Sequence, residues 1–211
     1  GSLPTHKAMA FVERVKNEIH QRRIPNRTGG GNCLTLDTRI PLLDGRTLSL
    51  ADLIDEHSKG KQNWVYSVNP ADGSFAPGRI SWAGETRKNA QIVKLTLDNG
   101  ETLTVTPDHG IPVWGKGKVE AKDIKCNVDE IFGFNGKDEA FRSYVNDITW
   151  QEVTENTGTI TVDGNEEIHD YHTFAVEQGI YVYNSIMDAA YNPLAIMEDY
   201  FFAQSCISLK S

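Results

Sequence analysis

The chain has 211 residues, 39% of them hydrophobic, and a formal net charge of −8. That content suffices for a core but contains no run long enough for a membrane span, and the acidic balance lacks the basic face with which proteins neutralise phosphates. Neither a membrane nor a nucleic acid is an expected partner. Three cysteines, Cys33, Cys126 and Cys206, make an odd count without metal-type spacing, and no signal peptide precedes them, which fits a reducing cytoplasm and no metal site. The chain opens on Gly1 rather than Met and reads as a fragment of a longer protein.

Charge divides the sequence into three. Residues 1–32 carry six Lys/Arg against two Asp/Glu, residues 33–184 carry 14 against 24, and residues 185–211 carry one against three. The boundaries fall at Cys33 and Asn184. In the first part Ala8, Phe11, Val12, Val15 and Ile19 recur at helical spacing after Pro4-Thr5, predicting a helix with Thr5 as N-cap that runs to about Gln21. Pro25 and Gly29-Gly30-Gly31 end it and leave a flexible approach to Cys33.

From Cys33 the period changes to two. Leu34, Leu36 and Thr38 alternate with polar neighbours, Asp44-Gly45 turns the chain, and Leu48 to Ile54 reads as a short helix or turn. Trp64 to Val68 and Phe75 to Trp82 flank the turn residues Pro70, Asp72 and Gly73. Val93, Leu95 and Leu97 face Leu103 and Val105 across Asn99-Gly100, a strong hairpin signal. Residues 126–158 are polar and turn-rich and are assigned a connecting role. Thr159 to Val162, Tyr171 to Val176 and Ile180 to Tyr183 read as three closing strands, so the domain is mainly β.

The last of these strands ends in Asn184-Ser185, which places a side-chain amide and a hydroxyl on either side of one peptide bond. An Asn can cleave its own C-terminal peptide bond when its amide nitrogen attacks its main-chain carbonyl and closes a succinimide, a reaction needing neither metal nor cofactor. Far upstream, Cys33 supplies the strongest ordinary nucleophile near neutral pH.

Four features together resemble the inteins, the self-splicing members of the hedgehog/intein (Hint) family. They are Cys33 with Leu34-Thr35-Leu36-Asp37-Thr38 and the turn at Asp44-Gly45; Gly100 to His109 with its Thr-x-x-His pair, Thr106 and His109; His172-Thr173-Phe174-Ala175 followed by Gly179; and Asn184-Ser185. The resemblance covers residues 33–184. It implies a Hint-fold β horseshoe with pseudo-two-fold halves, flanked by partial exteins at 1–32 (a short helix plus a Gly-rich linker) and 185–211.

It also implies an order of chemistry. Cys33 attacks the carbonyl of Asn32, with His109 protonating the leaving nitrogen and Thr106 or main-chain amides steadying the oxyanion. Ser185 takes the acyl group from the thioester, and Asn184 cyclises with help from His172. The 152-residue domain leaves, and Asn32 is joined to Ser185. Such a domain turns over once, acts on its own flanks and works as a monomer.

Two departures stand out. The residue before the terminal Asn is commonly His in this family but is Tyr183 here, and the acidic residue upstream of the His-x-Phe motif is not clearly matched, leaving Asp163 and Asp170 as candidates. Leu50-Ala51-Asp52-Leu53-Ile54-Asp55-Glu56-His57 resembles the LAGLIDADG signature of homing endonucleases, but it occurs once, precedes the second splicing motif and has no nuclease-sized domain around it. No nuclease is expected.

Joined without the insert, the flanks resemble the portal protein of contractile-tailed bacteriophages. That resemblance implies a ring-forming host protein destined for the virion and splicing in the cytoplasm of an infected bacterium. Two other readings stay open: a Hint-type domain that cleaves without ligating, and a non-catalytic phage structural fragment.

Overall fold

Alternation of apolar and polar residues from Cys33 onward produces strands with one face turned to a common core. The computed structural model describes residues 33–136, 139–163 and 171–184, which belong to one compact unit. The helix expected after Thr5, the Gly29-Gly31 linker and the segment from Ser185 lie outside the described residues. In chain order the strands are β1 (Leu34–Thr35), β2 (Arg39–Pro41), β3 (Thr47–Ser49), β4 (Trp64–Val68), β5 (Phe75–Leu97), β6 (Thr102–Val105), β7 (Gly110–Val113), β8 (Gly117–Glu120), β9 (Glu130–Gly133), β10 (Phe141–Asp163), β11 (Thr173–Val176) and β12 (Ile180–Tyr183). An α-helix, α1 (Leu50–Ser58), follows β3.

The frame is set by β5 and β10, each 23 residues long, which pair antiparallel from Val145 opposite Leu97 to Asp163 opposite Arg79. Each is the second strand of a hairpin, with β4 before β5 and β9 before β10. The first strands start at Trp64 and Glu130 and the second at Phe75 and Phe141, a spacing of 66 residues in both cases. Two like hairpins joined through an antiparallel pair of their long strands are related by an approximate two-fold axis. The expected pseudo-two-fold halves are therefore present.

The hairpin expected across Asn99-Gly100 is formed, with Val93 opposite Val105 and Leu95 opposite Leu103, and Gly100 takes the left-handed turn at φ +85° that side chains resist. The turn at Asp44-Gly45 joins β2 to β3. Leu34, Val93, Leu95, Leu103, Val105, Ile160, Phe174 and Val182 meet in the main core.

Residues 126–158 correct the sequence expectation. They are not a connector: they hold β9 and most of β10. Likewise Phe75 to Trp82 and Val93 to Leu97 belong to one strand rather than two. Periodicity failed here for a physical reason. The middle of β10, Gln151–Asn156, is largely exposed and pairs with the polar middle of β5, so no buried face imposes alternation, and several register shifts break what pattern remains.

The LAGLIDADG-like stretch is α1, capped by Ser49, whose hydroxyl accepts the Asp52 amide at 3.1 Å. Leu50 and Leu53 are buried in the core, while Glu56 is held by Arg46 and Lys61 and Asp55 by Lys59.

Candidate functional site

Leu34 pairs with Val105 on one side and Gly158 on the other, which fixes Cys33 between β6 and β10. Cys33 is fully buried. Its N–H donates to Thr106 Oγ1 at 3.0 Å, and the Thr106 N–H returns a bond to the Cys33 carbonyl at 3.0 Å. The thiol lies 2.9 Å from Thr86 Oγ1. Burial pushes the Cys33 thiol up; the Thr86 hydroxyl, the Arg87 charge and Thr157 pull it down, and the Asp108 charge adds to the rise.

His109 is placed by the turn after β6, where its N–H donates to the Thr106 carbonyl at 3.0 Å and its own carbonyl accepts from Ala121 at 2.7 Å. The imidazole is fully buried. Nδ1 lies 3.3 Å from the Cys33 carbonyl oxygen, and Nε2 lies 3.0 Å from that of Tyr183. Burial lowers its pKa to about 4, against the opposing pull of those two carbonyls and of Asp108, with Lys118 adding to the depression. At neutral pH the ring is uncharged and carries one N–H, so it can donate to only one of the two carbonyls at a time.

Asn184 is fixed by the closing hairpin. Thr173 pairs with Tyr183 in the β11–β12 register, which sets His172 opposite Asn184 and gives physical meaning to the twelve-residue spacing between them. The Asn184 N–H donates to the His172 carbonyl at 2.7 Å; its side-chain Nδ2 lies 3.5 Å from His172 Nδ1 and donates to the Val162 carbonyl at 3.4 Å. His172 holds these contacts from a left-handed backbone, φ 54°, unusual for a residue other than glycine. Tyr183 is half-buried with Lys118 Nζ 5.1 Å from the centre of its ring, and burial raises its phenol.

The structure thus brings Cys33, Thr106, His109, His172, Tyr183 and Asn184 into one neighbourhood of linked contacts. Asp163 ends β10 beside Val162, and its buried Oδ1 has no hydrogen-bond partner among the described residues. Asn32, Asp170 and Ser185 lie outside the described residues. Sequence reasoning missed Thr86, the Arg87–Asp108 ion pair at 3.3 Å, and Lys118. The Thr-x-x-His motif runs through Asp108, so its charge partner could have been sought; Thr86 carried no signal, since it sits in a polar stretch that reads as no element. Among the described residues no group of three or more His, Cys, Asp or Glu could hold a metal ion, and no helix is long and apolar enough to cross a membrane.

Solved structures with this arrangement of strands include the DnaB intein of Synechocystis sp. PCC 6803, with TM-score 0.62 at 21% identity over 74% of this chain and 99% of that one. The KlbA intein precursor of Methanococcus jannaschii gives TM-score 0.57 at 18% identity over 74% and 93%. The fold is the Hint fold of inteins. No family profile matches the chain. In sequence, this Hint-fold chain is 36% identical to a DNA gyrase subunit of Synechocystis sp. over 138 residues, 65% of the chain and 11% of that protein. It is 34% identical to reverse gyrase of Thermococcus kodakarensis over 116 residues, 52% of the chain and 6% of that protein. The chain therefore spans about a tenth or less of the length of these relatives.

Proposed function

We propose that residues 33–184 splice themselves out of the polypeptide and join Asn32 to Ser185. The observation that carries this reading is the meeting of the two ends at one side chain: the imidazole of His109 touches the main-chain carbonyls of both Cys33 and Tyr183. A domain that cuts one bond has no need to hold both of its ends at a common proton carrier. The sequence matches add support, because a short segment shared with two differently named proteins, each roughly nine-tenths unmatched, behaves as an insert does.

In the first step the Cys33 sulfur bonds to the Asn32 carbonyl carbon, the bond from that carbon to the Cys33 nitrogen breaks, and the thiol proton ends on that nitrogen. His109 carries this proton. Its neutral state suits the task, since it can accept from the thiol before it donates. Thr106, which already accepts the Cys33 N–H, lines up the nitrogen and shares in steadying the oxyanion. Ser185 oxygen then bonds to the same carbon, the bond from that carbon to sulfur breaks, and the Ser185 hydroxyl proton ends on the Cys33 sulfur. Asn184 Nδ2 next bonds to its own carbonyl carbon, the bond to the Ser185 nitrogen breaks, and that nitrogen takes the proton. The freed amine attacks the ester and leaves an Asn32–Ser185 amide. No water, metal or oxidant enters the balance. His172 orients Asn184 for the third step, with Asp163 and Asp170 as supporting candidates.

No nuclease takes part, and the flanks 1–32 and 185–211 belong in this proposal to a host protein resembling a phage portal. Intact mass of freshly expressed protein is the test. The expected result is a 152-residue domain together with a ligated product running from Asn32 into Ser185. Free flanks without ligation would favour the cleavage-only Hint reading, and a chain that keeps its full mass under reducing conditions at several pH values would overturn self-processing altogether.

A further inference from the structure

Within the long β5–β10 pair, Glu85 pairs with Gly158 and Arg87 pairs with Thr157. Consecutive residues on β10 therefore face residues two apart on β5, and Thr86 is the extra residue of a β-bulge. Bulges re-aim a side chain without ending the strand. Here the bulge buries Thr86 and sets its hydroxyl 2.9 Å from the Cys33 thiol and 3.4 Å from the Thr157 carbonyl, to which it donates. The chains come unusually close at this point: a Cβ on Gly158 would stand 2.7 Å from the Gly84 carbonyl oxygen. The same bulge sends the next residue, Arg87, to Asp108, the neighbour of His109.

We propose that Thr86 is a catalytic residue of the thioester-forming step, holding the Cys33 sulfur by a hydrogen bond that reverses direction as the thiol gives up its proton. This rests on the splicing reading above. At rest the thiol donates to Thr86 Oγ1 while the hydroxyl donates to the Thr157 carbonyl. When His109 takes the thiol proton, rotation about the Cβ–Oγ bond turns the hydroxyl hydrogen to the thiolate. The hydroxyl neither gains nor loses a proton overall, so the balance of the step is unchanged.

The need is physical. A thiolate formed at a fully buried position loses hydration, and the Thr86 hydroxyl, 2.9 Å away, contributes most to offsetting that loss, with the Arg87 charge and the Thr157 hydroxyl adding to it. Among the described residues, Arg87 from β5 and Asp108 from the turn after β6 are the charged groups that act on the sulfur, with opposite signs, and His109 stands across the Cys33 main chain.

The experiment compares dithiothreitol-induced release of residues 1–32 in Asn184→Ala, Asn184→Ala/Thr86→Val and Asn184→Ala/Thr86→Ser chains across pH 6–9. Valine keeps the branched shape and removes the hydroxyl; serine keeps the hydroxyl. Loss of a hydrogen bond to a charged group is expected to slow release on the order of ten- to a hundredfold and to move the rising limb of the pH profile upward, with serine restoring most of the rate. A pure packing role would slow release equally at every pH and leave serine no better than valine; that result overturns the proposal, as does valine at the parent rate. If the Asn184→Ala parent itself releases nothing, the splicing reading fails first, and this one with it.

Discussion

The imidazole of His109 reaches the main-chain oxygen of Tyr183, with Nε2 3.0 Å away, although Tyr183 is 74 residues further along the chain. The ring's other nitrogen serves Cys33. Assigning His109 to the upstream bond alone, as its motif suggests, therefore leaves out half of its contacts. Removing a positioned acid–base group costs on the order of 10²–10⁴-fold. In an Asn184→Ala background, His109→Ala is expected to lower thiol-induced release of residues 1–32 by that factor. In a Cys33→Ala background it should also slow release of the segment from Ser185 onward, because the Tyr183–Asn184 peptide loses one of its two anchors. Unchanged upstream release, followed by gel or mass, would remove His109 from the first step and leave Thr106 and main-chain amides.

The same burial has a consequence for acid stability. The His109 pKa in the fold is about 4 against an ordinary 6.5, so between those values the unfolded chain binds the extra proton and the folded chain does not. Stability then rises with pH across the window and is lost as pH falls from about 6.5 to about 4, by roughly 3 kcal/mol. Asp44 and Asp72, held low by hydrogen bonds from Arg46 and Ser74, lose their contribution at lower pH still. Denaturant midpoints of a Cys33→Ala/Asn184→Ala chain should therefore decline between pH 6.5 and 4, and His109→Gln should flatten that decline. An equal slope in both chains would show that the ring is not the group responsible.

His172 separates backbone from side chain. Its left-handed φ of 54° suits glycine better, whereas its imidazole lies against the Asn184 amide. His172→Gly is expected to leave the unfolding midpoint unchanged or slightly higher and to slow succinimide formation at least tenfold, read as release of the downstream flank from a Cys33→Ala chain. Thiol-induced release of residues 1–32 should stay near its starting rate. Full-speed downstream release in His172→Gly would assign the histidine a purely conformational role.

How much of this could be read beforehand depends on which residues local patterning constrains. The Val93–Val105 hairpin was visible because Asn99-Gly100 and a buried face act together. The pairing of His172 with Asn184 was visible as a motif spacing, which the β11–β12 register converts into contact. What stayed hidden depends on the long β5–β10 pair. Its exposed middle shows no alternation, and the bulge that presents Thr86 arises from pairing between residues some 71 apart, which no local signal reports. Lys118 was hidden for a similar reason: it reaches Tyr183 only because β8 pairs with β7 next to His109.

Tyr183 occupies the place where the resemblance leads one to expect a histidine. Its ring has no N–H to offer a carbonyl, burial keeps its phenol protonated, and the Lys118 ammonium lies 5.1 Å over the ring face. Polarisation of the Asn184 carbonyl is then left to a hydroxyl, to His172, to main-chain groups or to the local charge. A Tyr183→His side chain would be smaller, and beside the Lys118 charge it would favour its neutral form, which still donates one N–H. If carbonyl polarisation limits cyclisation, Tyr183→His is expected to speed release of the downstream flank severalfold in a Cys33→Ala chain, with thiol-induced upstream release unaffected. The gain should be largest above about pH 6, where a histidine next to a fixed cation is uncharged. No gain, or a loss, would show that packing of the Tyr183 ring under Lys118 matters more to Asn184 than a further donor does.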